Sequence, residues 1–347
     1  MKQRYEYLEK DHVSKVGVRE LPDELAPNEV LVKQLTCNIC TTDYQQWMGL
    51  REHQGYPMAG GHEGAGIVEK IGSAVTTVKP GDLVAVGNVG CGICEACRMG
   101  DTTNCENKKG RVPNAEGIYG QFGFADYNIR NERVLYKLSS DLDPAEAGFL
   151  EPVATVCKGM KKLRLQPQET VVVIGAGTMG MVNAQVARCL GARVTISEIM
   201  PKKLETAKAM GFDVIDCNEK DPVEAVKEMT NGMGVDCVIV AVGSTKANAQ
   251  ALEMLKKIDG RMLLFAAGYP VPDLPFDSNV IHYRRVEIIG TFGENAEDFS
   301  MAAKLLSTRA IDVSKIIEPK RFKLDDCQAA FEAASTPGMY RVCLELN

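Results

Sequence analysis

Val171-Val-Val-Ile174-Gly175-Ala-Gly177-Thr178-Met179-Gly180 is the stretch on which the fold turns. Four consecutive apolar residues, β-branched throughout, read as a strand covered on both faces. The glycines that follow open a helical run extending to Leu190. In such a turn the first glycine permits the tight bend, and the second lets the backbone approach a pyrophosphate. The third allows close contact between helix and strand. A pyrophosphate would then sit on the free N–H groups at the start of the helix, so Gly175, Gly177, Thr178, Met179 and Gly180 are candidate cofactor contacts. The next strand, Arg193–Glu198, ends on an acid eighteen residues after Gly180. A carboxylate there can accept hydrogen bonds from a ribose diol, and its charge repels the 2′-phosphate of NADP. Glu198 therefore favours NAD, although Lys202 and the candidate contact Lys203 soften that exclusion.

Working outward, strands and helices alternate. Helices are expected near Pro201–Met210, Val223–Met229 and Ala247–Ile258, and strands at Val214–Asp216, Asp236–Ala241, Arg261–Ala267 and Val286–Gly290. Apolar strands alternating with helices indicate a doubly wound parallel sheet, an α/β architecture. Upstream the rhythm differs. Short β-type runs, Glu29–Lys33, Gly66–Glu69 and Leu83–Val86, stand among frequent turn signals and suggest a partly open barrel. The tail has helices near 296–307 and 325–334 and a strand-like Arg341–Leu346, and is expected to return to this first region. The expected divisions are residues 1–153, 154–290 and 291–347.

The chain has 347 residues, 45% hydrophobic and 25% charged, with a formal charge of −6. These are globular values for roughly two domains, and they exclude collagen, coiled coil and general disorder. An acidic chain without a basic run argues against nucleic acid as a partner. No run of about 18 apolar residues suggests a membrane span. The first residues lack a signal-peptide core, so a cytoplasmic location is expected.

Twelve cysteines in such a chain point to thiols rather than disulfides. Six lie singly in apolar or helical surroundings and read as ordinary residues. Cys91, Cys94, Cys97 and Cys105 crowd into fifteen residues. Four thiolates on one loop can close a tetrahedral Zn²⁺ site with no open position, which is structural. The iron–sulfur alternative requires different spacing and a following proline, and here Glu106 follows. A second group joins Cys40 to His62 and Glu63. Cys, His and Glu are the ligand types of an open zinc site that keeps a position for water or substrate.

In the order Cys40-Thr-Thr42-Asp43, Gly61-His62-Glu63-x2-Gly66-x5-Gly72-x2-Val75, the four-cysteine lobe, Phe124-Ala-Asp-Tyr127, Glu151-Pro152 and the glycine loop, the chain resembles a zinc-dependent medium-chain dehydrogenase/reductase. The pattern is nearest the sorbitol/polyol and threonine dehydrogenase branches and covers nearly the whole chain. The resemblance implies a mainly-β GroES-like catalytic domain beside a Rossmann domain, and two zinc ions per subunit. Cys40 and His62 would bind the catalytic zinc, with Glu63 or Glu151 completing its shell. The implied reaction passes hydride between NAD(H) and a metal-held alcohol or ketone, with Thr42 taking the substrate proton. A homotetramer or homodimer paired through the sheet edge near Val286–Thr291 is also implied.

One position departs from the family. Where many members carry a proton-shuttling His, this chain has Gln45, which cannot exchange a proton near neutral pH. Gln45, Gln46 and Trp47 are expected near the substrate pocket, where amides would hydrogen-bond substrate hydroxyls. Cys37 reads as a packed thiol. The expected activity is an NAD-dependent zinc dehydrogenation of a polyol, sugar alcohol or hydroxy-amino acid. The alternatives are the same chemistry on a hydroxysteroid-like secondary alcohol, and a non-catalytic zinc- and NAD-binding protein.

Overall fold

The apolar run around Val171 forms the strand Thr170–Ile174 at the centre of a six-stranded sheet. Its neighbours on one side are Arg193–Glu198 and then Asp213–Asp216. On the other side lie Cys237–Val240, Arg261–Leu264 and Glu287–Gly290. All five pairings are parallel, and the order reverses at the first strand, as in a Rossmann fold. Burial explains the composition: Val172, Val173, Val238 and Ile239 are fully covered. The structure is a computed structural model that describes residues 1–51, 55–88, 90–107 and 117–347. In it the chain divides into one unit of Met1–Ala154 with Glu294–Asn347 and another of Thr155–Gly293.

Three elements of the second unit correct the sequence reading. The helix expected to reach Ile258 is Thr245–Met254, and Leu255 is already extended. Val235 N–H bonds the Met254 carbonyl and the Lys256 N–H bonds the Val235 carbonyl, so this chain-to-chain pairing replaces another helical turn. The strand at Arg261 ends at Leu264. An unanticipated helix, Ser278–Arg284, is capped by the Asp277 carboxylate on the Asn279 N–H and stops where Arg285 turns left-handed.

In the first unit the strand Glu29–Ile39 is eleven residues long, more than twice the apolar run that marks it in the sequence. Its polar inward residues hide the rest. Gln34, 1% exposed, donates its amide N–H groups to the carbonyls of Gly123 and Ala125 at 3.0 and 2.8 Å. This strand pairs antiparallel with Glu63–Ile71, with Tyr127–Asn131 and with Arg341–Glu345, so the C-terminal strand lies in the first unit's sheet. A separate sheet is built on the hairpin of Lys2–Lys10 and Val13–Glu20. Among the described residues no helix is long and apolar enough to cross a membrane.

Candidate active site and dinucleotide loop

Sheet register assembles the site. Asn38 stands opposite Glu63, and Val342 opposite Ile39, so the ends of three strands bring Cys40, His62, Glu63 and Arg341 together. Ligand atoms of Cys40, His62 and Glu63 all lie within 4.8 Å of one another. Cys40 caps the helix Thr41–Trp47, and Asp43 closes a reciprocal box by accepting the Cys40 N–H at 2.9 Å. The other oxygen of Asp43 lies 3.6 Å from His62 Nδ1. A carboxylate on one ring nitrogen fixes the imidazole so that the other is available to a metal. His62 needs Gly61 before it: the backbone there has φ +85°, and a Cβ would come within 2.6 Å of the Phe124 nitrogen.

Glu63 is fully buried and faces Arg341, whose Nε and Nη2 reach its two carboxylate oxygens at 2.8 and 2.5 Å. The same guanidinium reaches Cys40 Sγ at 3.6 Å. Glu151 stands beside the trio rather than in it: its charge couples to His62, Glu63 and Arg341. Burial pushes its carboxyl up to about 7, against the opposing pull of His62. Asn38 ties the short helix Pro144–Ala147, shortly before Glu151, to the central strand through the Ala145 carbonyl at 3.0 Å. The residues fit a zinc ion, with one thiol, one oriented imidazole and carboxylates at hand.

A pocket opens beside His62, lined by Thr42, Asp43, Gln46, Met58, Ala59, Gly60, Gly61 and Gln121. Of the three side chains expected there, Gln46 lines it, whereas Gln45 is not among the lining residues. Trp47 turns into the apolar core, edge-on to His12 at 4.6 Å and stacked with Phe331 at 6.3 Å. The sequence could not separate them, because the helix Thr41–Trp47 decides which side chain faces which way. Cys37 is buried in the same core. Asp43 was visible in the motif without a role. Arg341 and Gln121 carry no local signal and were missed.

The four-cysteine lobe closes on itself, all four sulfurs lying within 4.8 Å of one another. Cys91 Sγ receives the N–H groups of Ile93 and Cys94 at 3.4 Å each, and these lower its thiol to about 6. A thiolate is the form that binds metal. Arg133 anchors the lobe through the carbonyls of Gly90 and Cys91, both at 3.0 Å.

In the second unit the glycine loop has the geometry the spacing implies. Gly175 has φ +97°, and a Cβ on Gly180 would strike the Gly175 carbonyl at 1.8 Å. A Cβ on Gly177 would approach only Lys203 Nζ, at 3.7 Å, so this residue faces open space with a cation nearby. Thr178 and Met179 begin the helix Thr178–Cys189. The Glu198 carboxylate accepts the Ala176 N–H at 2.6 Å and those of Ile199 and Met200 at 2.7 and 2.9 Å. It therefore sits at the glycine loop itself.

Residues 26–140 match the family model of the alcohol dehydrogenase GroES-like domain, and residues 165–308 that of zinc-binding dehydrogenases. The chain is 29% identical over 330 residues to the D-arabitol-phosphate dehydrogenase of Enterococcus avium, covering 93% of this chain and 92% of that protein. It is 31% identical over 315 residues to the L-threonine 3-dehydrogenase of Pyrococcus horikoshii, covering 88% of each. A putative zinc-binding dehydrogenase from Sinorhizobium meliloti, solved bound to NADP, superposes with a TM-score of 0.87 at 28% identity over 99% of both chains.

Proposed function

Because the chain belongs to the zinc-type alcohol dehydrogenase family, an oxidoreductase family using zinc and a nicotinamide cofactor, we propose that it interconverts a secondary hydroxyl and a ketone on a polyol, sugar alcohol or hydroxy-amino acid, with NAD(H) as the hydride partner. The observation that carries this reading is the convergence of Cys40, His62 and Glu63 beside a pocket lined by Thr42 and Gln46. Zinc bound there supplies Lewis-acid activation of the reacting hydroxyl. Cys40 and His62 hold the ion, Asp43 keeps the imidazole oriented, and Glu63 and Glu151 place negative charge beside it. Arg341 holds Glu63 away from solvent. The Thr42 hydroxyl relays the proton released by the alcohol, giving up its own to water or a ribose hydroxyl, since Gln45 cannot accept it. Gln46 hydrogen-bonds a neighbouring substrate hydroxyl. A polar amide on the pocket wall suits a polyol better than a hydroxysteroid.

The four-cysteine lobe holds a second, structural zinc. NAD is preferred over NADP because the negative charge of Glu198, beside the glycine loop, would repel a 2′-phosphate. The subunits form a homodimer or homotetramer through the edge strand Glu287–Gly290, where Ile288 and the nearby Phe292 are 36% and 79% exposed. Its twelve reduced thiols suit the cytoplasm. The test is NADH formation from NAD⁺ with polyols, sugar-alcohol phosphates, threonine, simple secondary alcohols and hydroxysteroids, with and without a zinc chelator. A chelator-sensitive signal on a polyol or hydroxy-amino acid supports the reading. Turnover confined to hydroxysteroids, or none while NAD binds, overturns it.

A further inference from the structure

The pocket beside His62 contains a polar group that none of the described residues satisfies. Gln46 is 1% exposed, and among the described residues neither its amide nitrogen nor its amide oxygen has a hydrogen-bond partner. Burying an amide in this way is costly unless a ligand completes it, and Gln46 lines the pocket. A second observation concerns Thr42, another lining residue. Arg51 Nη1 donates to Thr42 Oγ1 at 3.1 Å. Among the described residues no carboxylate pairs with Arg51. The remaining N–H groups of its planar guanidinium match the paired oxygens of a phosphate or carboxylate. A cation bonded to a lining hydroxyl, with no carboxylate partner among the described residues, together with an unsatisfied amide lining the same pocket, is suited to an anionic polyhydroxy ligand. It is poorly suited to a neutral apolar alcohol, which would leave both groups unpaired.

We propose that the substrate carries an anionic group, a phosphate monoester or a carboxylate, which Arg51 neutralises while the Gln46 amide binds one of its hydroxyls. This deepens the proposed function and rests on that reading of the reaction.

Two matched pairs distinguish the sources of the anion: D-sorbitol against D-sorbitol 6-phosphate, and L-threonine against L-threoninamide. The zinc-loaded enzyme is assayed with each under NAD⁺, together with Arg51→Gln and Arg51→Lys. The expected result is that the anionic member of one pair exceeds its neutral partner in kcat/KM by about ten- to hundredfold. Arg51→Gln brings that ratio close to one, and Arg51→Lys retains part of it. A ratio near one in the native enzyme, or a ratio that survives Arg51→Gln, overturns the proposal. Thermal shift of the zinc- and NADH-loaded protein separates the two readings when nothing is turned over. If sorbitol 6-phosphate or threonine then stabilises the native protein and not Arg51→Gln, the anion site stands and the dehydrogenase reading falls. If neither ligand stabilises the native protein, the anion site falls.

Discussion

At the residue scale the buried pair Glu63–Arg341 stands against Cys40 in the candidate site. Both side chains are nearly inaccessible, at 0% and 5% exposure, so removing one partner strands a charge. Arg341→Met is expected to destabilise the zinc-loaded protein by about 3–5 kcal/mol, read by urea unfolding. The double variant Glu63→Gln/Arg341→Met should recover much of that loss, because it buries no unpaired charge; a double variant as unstable as the single would refute the account. Gln46→Ala tests the pocket wall. The preference in kcat/KM for a polyol over its deoxy analogue should shrink about tenfold or more, and an unchanged preference counts against Gln46 as a substrate contact. The metal-ligating residue types were legible because their spacing in the chain is short. Arg341 was not, since 278 residues separate it from Glu63 and only strand pairing joins them.

Elements bring their own pH behaviour. Asp236 accepts Thr170 N–H and Oγ1 at 2.8 and 2.7 Å and Lys256 Nζ at 2.8 Å, stitching two adjacent parallel strands to the segment after the helix Thr245–Met254. Burial disfavours its charge, but the bonds from Lys256 and Thr170 prevail and hold the carboxyl at about 2, below its ordinary 3.8. A depressed carboxyl stabilises the fold above its unfolded value, and that stability is lost as pH falls from about 4 through about 2. Asp236→Asn should therefore lower Tm at pH 6 and narrow its gap from the native protein as pH approaches 2. The hairpin strand Lys2–Lys10 carries the opposite case. Burial raises Glu6 to about 8 despite a 2.7 Å bond from Ser14. A raised carboxyl stabilises the fold in its protonated form, fully below about 4.5, and the benefit drains away as pH rises through about 8. Glu6→Gln should thus gain in Tm over the native protein between pH 5 and 8.5; a constant difference across that range would rule out this origin. For the four-cysteine lobe, Cys105→Ser should lower zinc content from two ions to one per chain by elemental analysis.

On the scale of the whole molecule, the edge strand Glu287–Gly290 pairs among the described residues with one neighbouring strand and is flanked by exposed Tyr283 and Phe292, at 75% and 79%. Phe292→Asp combined with Ile288→Asp should shift sedimentation toward the monomer, and an unshifted assembly would place the interface elsewhere. By itself the sequence determined the doubly wound sheet, the glycine loop and both cysteine-bearing groups. Strand periodicity, the sterics of a tight turn and the spacing of ligands along a loop are local properties, written within a few residues of one another. Only the tertiary structure decided that Arg341 grips Glu63, that Arg51 reaches Thr42, and that Gln46 faces the pocket while Trp47 enters the core. Those facts depend on register between distant strands and on the rotation of one short helix, and neither is set by any residue's immediate neighbours.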